Sequence, residues 1–254
     1  MDSTVTVIGA GELTPSPVAP PGVTWETVFD TDRVLLVRTR VDGDWRSGWH
    51  SHGSNDAYGV VLVGRARFEY GADGALAQTA GTGDFFTFPA GTTYRTVNAG
   101  EGELVALVAL VGSGVRVVVA EGPGAGISGE GPTVAHTGDL TPTGNLANLT
   151  RLTPFPDAPV QQIRGHAEGR IESSWHHHGD NDVFGYVIDG EGYVEWGHGD
   201  DERRLARAGE FFHIPAGLVH RDVNPSDDEQ DYLLWLTGSE PRVVHVPAPA
   251  LERQ

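Results

Sequence analysis

The hydrophobic pattern is that of many short strands. Val60 to Phe68 and Tyr186 to Val194 are rich in β-branched and aromatic residues, and each is interrupted by turn residues, Gly64 in one and Asp189-Gly190 in the other. Leu104 to Val111 and Tyr232 to Leu236 are nearly all apolar, as strands buried in a barrel wall would be. No stretch keeps a long helical periodicity. The expectation is an all-β protein.

The pattern is written twice. With a shift of 126 residues, about residue 36 to 119 align on the second half without a gap. Trp49-His50-Ser51-His52-Gly53 falls on Trp175-His176-His177-His178-Gly179, and Pro89-Ala90-Gly91 on Pro215-Ala216-Gly217. The closing segment Arg116-Val117-Val118 falls on Arg242-Val243-Val244, and Gly11 to Pro15 repeats as Gly138 to Pro142, one residue out of register. This predicts two tandem barrels, an N-terminal one over residues 1–120 and a C-terminal one over 133–254. The Gly/Pro-rich stretch 121–132 reads as their linker. Val7-Ile8-Gly9-Ala10-Gly11 resembles the start of a dinucleotide fingerprint. Thr14 stands where its third Gly should be, and Pro15 and Pro17 would break the required helix.

Composition narrows the chemistry. The net charge is −18 and there is no Lys, so nucleic acid and anionic membranes are improbable partners and a Schiff base is excluded. The absence of Cys removes thiolate catalysis, Cys zinc sites and disulfides. No apolar run is long enough to span a bilayer, and the N-terminus lacks the regions of a signal peptide. The cytoplasm is the expected compartment.

The candidate chemistry lies in the second half. His176 and His178, two apart on a strand, project from one face, and His220 follows the Pro215-Ala216-Gly217 turn on what should be a neighbouring strand. Asp182, four residues past His178, could add an oxygen. Three imidazoles with or without a carboxylate suit Fe(II), Mn(II), Ni(II) or Zn(II) with positions left open for reaction. The first half keeps His50, His52 and Asp56, but Tyr94 replaces the third His; it reads as an empty barrel or a second, weaker site, or Tyr94 serves as an acid/base group. His213 is a further candidate for proton transfer.

These motifs, Gly169 to Gly190 and Gly209 to Asn224, resemble the two signature motifs of the cupin superfamily, and the duplication makes the chain resemble a bicupin. The resemblance implies two double-stranded β-helix (jelly-roll) barrels and a divalent metal on His176, His178 and His220. In the family a Glu commonly follows the two His; Asp182 stands at that spacing counted from His178, Val183 counted back from Gly190. The three-histidine set resembles that of the quercetin and diketone dioxygenases, which implies Fe(II), a small-molecule substrate and O2. A redox-neutral isomerase or lyase, with Asp182, Tyr94 or His213 moving the proton, is the alternative, and a non-catalytic ligand-binding cupin another. Phe184, Tyr186, Trp196, Phe211, Phe212 and Trp235 are the expected cavity walls. A homodimer is expected, with the arm Val5 to Val18 crossing onto a partner barrel to cover a sheet edge.

Overall fold

The computed structural model describes residues 4–124, 131–197, 199, 202–240 and 242–249; the centre of the expected linker lies outside them. Two compact units result, one of residues 13–140 and one of residues 1–12 together with 141–254. Each is a pair of antiparallel sheets facing one another across a core, the expected double-stranded β-helix.

In the N-terminal unit a seven-stranded sheet runs in the order Thr133–Ala135, Phe85–Phe88, Asp56–Val63, Leu104–Val111, Val34–Val41, Trp25–Asp30, Thr14–Pro15. Its facing sheet runs Val118–Val119, His50–Ser51, Tyr94–Asn98, Arg65–Tyr70, Leu76–Gly81. The C-terminal unit repeats this order in its large sheet, whereas His176–His177 and Val244–His245, the counterparts of His50–Ser51 and Val118–Val119, pair as a separate two-stranded sheet. Thr6–Ile8, Phe211–Ile214, Val183–Asp189, Gln230–Leu236, Gln161–Ala167, Leu149–Thr153 and Thr141–Leu146 form the large sheet. Ile171–Glu172, Arg221–Asn224, Glu191–Glu195 and Arg203–Arg207 form the smaller one.

The turn glycines mark where the chain leaves one sheet for the other. Gly64 and Gly190 have φ of +83° and +75°, and a Cβ would lie 2.3 Å from the Glu103 carbonyl oxygen and 2.4 Å from that of Glu229. Only glycine fits such a backbone approach. Asp56 and Asp182 serve the same architecture: each Oδ1 accepts a hydrogen bond from the backbone of the Pro-Ala-Gly turn, at Ala90 N (2.8 Å) and Ala216 N (3.3 Å).

The domain boundaries differ from those expected at residues 120 and 133. Thr6–Ile8, which precedes the first repeat, pairs with Phe211–His213 of the second, and Thr133–Ala135, which precedes the second, pairs with Phe85–Thr87 of the first. The arm covers a sheet edge as expected, but the edge belongs to its own chain. An edge tethered to the arm offers a higher effective concentration than a second copy does. Val5 is buried beside Ile163, Val183, Val194, Ile214 and Leu236. Deleting residues 1–12 should therefore lower the unfolding free energy of the C-terminal unit by at least the roughly 1.5–3 kcal/mol of one buried Val. Urea unfolding followed by fluorescence checks this; an unchanged midpoint would contradict the pairing.

Candidate metal centre

The C-terminal barrel gathers His176, His178 and His220 so that one ligand nitrogen from each lies within 4.8 Å of the others. His176 and His220 face each other across an antiparallel bridge, and the two-residue strand period turns His178 to the same side while His177 turns away. The Nδ1 atoms of the three bond to the backbone carbonyls of Ser174 (2.8 Å), Arg242 (2.6 Å) and Leu218 (2.8 Å) respectively. A carbonyl can only accept, so each Nδ1 carries the hydrogen and each Nε2 presents a lone pair to the centre. The Nε2 of His220, fully buried, has no protein partner. An orphaned acceptor in that position is costly alone and is what a metal ion would satisfy. Burial pushes the His178 imidazole down to about 4 and lowers that of His220, which keeps both neutral and competent as ligands.

The carbonyl that orients His178 is itself fixed. Arg242 Nη1 donates to Asn181 Oδ1 and to Gly238 O, both at 2.7 Å. In the N-terminal barrel Arg116 repeats the device: its Nη1 donates to Asn55 Oδ1 at 2.7 Å and its carbonyl accepts from His52 Nδ1 at 2.9 Å. These arginines were visible in the repeat, but nothing in the sequence tied them to the histidines.

Asp182 is not part of the cluster, which corrects its expected place as ligand and acid/base. Strand alternation puts Val183 against the cavity, while Asp182 Oδ1 bonds His213 Nε2 at 2.8 Å and His213 stacks on Phe184. His213 is thereby removed from the cavity too. The carboxylate near the imidazoles is Asp222, two residues past His220 and on the same face, with Oδ2 3.8 Å from His176 Nε2. Burial alone would raise its pKa; the charge that His220 and His176 carry when protonated, together with that of Arg151, outweighs this and holds it below the ordinary value. Its signal was the same i, i+2 spacing that revealed His176 and His178, and it lacks a counterpart in the first half, where Thr96 aligns.

A cavity of about 300 Å³ borders the cluster at His178. Its walls are mainly aliphatic: Ile163, Val183, Val194, Ile214 and Leu236 face it, with Tyr193, Tyr232 and, of the expected aromatics, Phe212. Phe184, Phe211 and Trp235 are fully buried but do not line it. Polar groups enter from Arg151, Asp222, Gln230 and Tyr232.

Comparison with known proteins bears on the family and the fold. Residues 37–110 and 166–236 each match the Cupin_2 model, the cupin domain. The chain belongs to the cupin family. An acireductone dioxygenase of Yarrowia lipolytica is 28% identical over 120 residues, covering 46% of this chain and 68% of its own. Oxalate decarboxylase from Bacillus subtilis, solved in a study of its Mn(II) centres, superposes with a TM-score of 0.70 at 15% identity, over 94% of this chain and 79% of its own. The formate complex of oxalate decarboxylase from Lactobacillus farciminis superposes with a TM-score of 0.71 at 13% identity, over 94% and 88%. At such identities the likeness concerns the fold, and the fold is that of a bicupin.

The N-terminal cupin barrel has the same frame and a different interior. His50 Nδ1 bonds Gly48 O at 2.9 Å, but His52 Nε2, the atom that would face a metal, is occupied by the Tyr94 hydroxyl at 2.6 Å. That imidazole must accept, because its Nδ1 hydrogen is given to Arg116 O. Burial pushes His50 down to about 4 and, with the neighbouring His50, His52 to about 3, while burial raises the Tyr94 phenol, so all three stay neutral. Phe88 stacks on Tyr94 at 3.8 Å, Phe68 and Phe86 fill the remaining space, and about 40 Å³ is left. Asp56 is at the Pro-Ala-Gly turn, so the expected weaker site at His50, His52 and Asp56 is not assembled, and Tyr94 is a packed core residue rather than an acid/base group.

Two outcomes check these assignments by elemental analysis of purified protein. His220→Ala should abolish bound metal, whereas Asp182→Ala should leave it unchanged; loss of metal in the Asp182 variant would restore that carboxylate as a ligand. Tyr94→His should free His52 and supply the missing imidazole, because Tyr94 lies opposite His50 as His220 lies opposite His176. Metal content should then rise from about one to about two ions per chain, and no rise would show that more than Tyr94 closes the first barrel.

Proposed function

We propose that the C-terminal barrel is the active centre of a metal-dependent enzyme acting on a small organic molecule, and that the enzyme is an Fe(II) dioxygenase-type oxidoreductase. The observation that carries this reading is the contrast between the barrels. In one, three imidazoles are gathered with their Nδ1 hydrogens turned away from the centre, and one of them, His178, borders a chamber; in the other, the same positions are closed by a hydrogen bond and phenylalanines. A scaffold that can be filled so readily is left open where it serves a ligand.

A divalent metal on the three imidazoles would polarise a substrate oxygen and, as Fe(II), bring dioxygen within reach of the substrate. Three imidazole ligands would leave room for more than one reactant. The rest of the work falls to the chain. Val183, Val194, Ile214 and Leu236 exclude water from the substrate's body, and Asp222 is placed to take a proton from a substrate group at the centre. The relative among acireductone dioxygenases supports an oxygenase. Asp222 equally favours a second reading, a redox-neutral lyase or isomerase, which the oxalate decarboxylase fold also accommodates.

Dioxygen uptake separates the two. Protein loaded with Fe(II), and in parallel with Mn(II) or Ni(II), is screened against enolisable ketones, 1,3-diketones and flavonols. Fe(II)-dependent uptake that disappears in His220→Ala is expected. Turnover without uptake would replace the dioxygenase by the lyase or isomerase, and absence of turnover would leave a metal-assisted binding protein.

A further inference from the structure

The internal repeat provides a control for every position in the cavity, since residues 126 apart hold the same place in two barrels, one filled and one open. Three inward positions change from apolar to polar together, and a fourth from polar to charged. Trp25 becomes Arg151, Ala106 becomes Tyr232, Leu104 becomes Gln230 and Thr96, the exception in already being polar, becomes Asp222.

The new side chains are accommodated by removing others. Tyr232 lies across Gly165, where a Cβ would stand 2.1 Å from the ring, and the first barrel has Thr39 there. Gln230 lies across Gly192, where a Cβ would stand 2.5 Å from its Nε2, and the first barrel has Ala66. Such paired changes, a larger polar residue with a glycine opposite, are not what drift on a surface produces.

Among the three arginines lining the cavity, Arg242 is committed to the barrel-closing loop and Arg204 lies over the Trp196 ring. Arg151 is committed least. Its Nε donates to the Tyr232 hydroxyl at 3.3 Å, and its Nη2 is 3.9 Å from Asp222 Oδ2, beyond hydrogen-bonding distance. The Nη groups make no hydrogen bond to the described residues. The Tyr232 hydroxyl accepts from Arg151 and keeps its own hydrogen for another acceptor. A partly buried guanidinium and a buried phenol, both with unused donors, make a binding place for an oxyanion.

We propose that the chamber takes a small organic acid or enolate, its anionic oxygens held by Arg151 and Tyr232 and its apolar body against the aliphatic wall. Asp222, between Arg151 and the imidazoles, sets the distance from that anchor to the centre. Arg151 is thus a specificity-determining residue. The proposal rests on the reading of the C-terminal barrel as the substrate chamber, but not on the metal or on the reaction.

The test is calorimetric titration with pentanoate and with its neutral isostere pentanamide, on protein as purified and after EDTA treatment, with metal content measured in each. Wild type should prefer pentanoate by about tenfold or more, the scale of one charge-assisted hydrogen bond. Arg151→Leu should abolish the preference with metal content and melting temperature unchanged, since the first barrel carries apolar Trp25 at this place. Arg151→Lys, which keeps the charge but not the fork, should retain part of it. Equal affinity for the two probes, a preference untouched in Arg151→Leu, or no binding of either to wild type would overturn the proposal. A preference that survives Arg151→Leu but vanishes with EDTA would also overturn it, and would place the carboxylate at the metal as the proposed function allows. Arg151-dependent preference in protein that binds no metal would uphold the anion site and defeat the metal reading.

Discussion

The constraint on which the structure depends is the two-residue period of a strand in a closed barrel. Every side chain is either inside or outside, and a shift by one residue exchanges the two sets. That period places His176 and His178 together and His177 apart, and it brings Asp222 in with His220. It also puts Val183 at the cavity and leaves Asp182 outside to tie the Pro-Ala-Gly turn through Ala216 and to pair with His213. Alternation turns the carboxylate expected from motif spacing out of the cavity, and the one present comes from a different strand, Arg221–Asn224.

Within that frame the imidazoles are aimed by their backs. Each Nδ1 hydrogen goes to a main-chain carbonyl, and the carbonyl serving His178 belongs to an arginine pinned by Asn181 and Gly238. The N-terminal barrel keeps the arginine, the asparagine and the carbonyl bond, so the frame for a site persists there. What it lacks is the free lone pair, which Tyr94 consumes, and the space, which Phe68, Phe86 and Phe88 occupy. A buried imidazole needs a partner: a phenol supplies it in one barrel, while in the other His220 Nε2 has none from the protein.

The short exchanged strands solve a separate problem. The edges at Phe211–Ile214 and Phe85–Phe88 would present unpaired backbone groups, and a segment from before the other repeat covers each. Val5 adds a buried side chain next to Val183 and Ile214, both of which face the cavity, so the arm supports the chamber wall as well as the edge.

The sequence alone determined the architecture and the three imidazoles. Strand periodicity, turn glycines and a 126-residue repeat are local signals, and the i, i+2 spacing of His176 and His178 carries its own geometry. Tyr94 in place of a histidine was equally plain. Tertiary structure decided everything that depends on which distant side chains meet. Asp222 and Arg151 sit on strands remote in sequence, and only closure of the barrel brings them within 3.9 Å of each other. The aliphatic character of the wall, the aromatic filling of the first barrel and the destination of the N-terminal arm were likewise undetermined, because inward and outward faces of an apolar strand read alike until a neighbouring sheet fixes which one is covered.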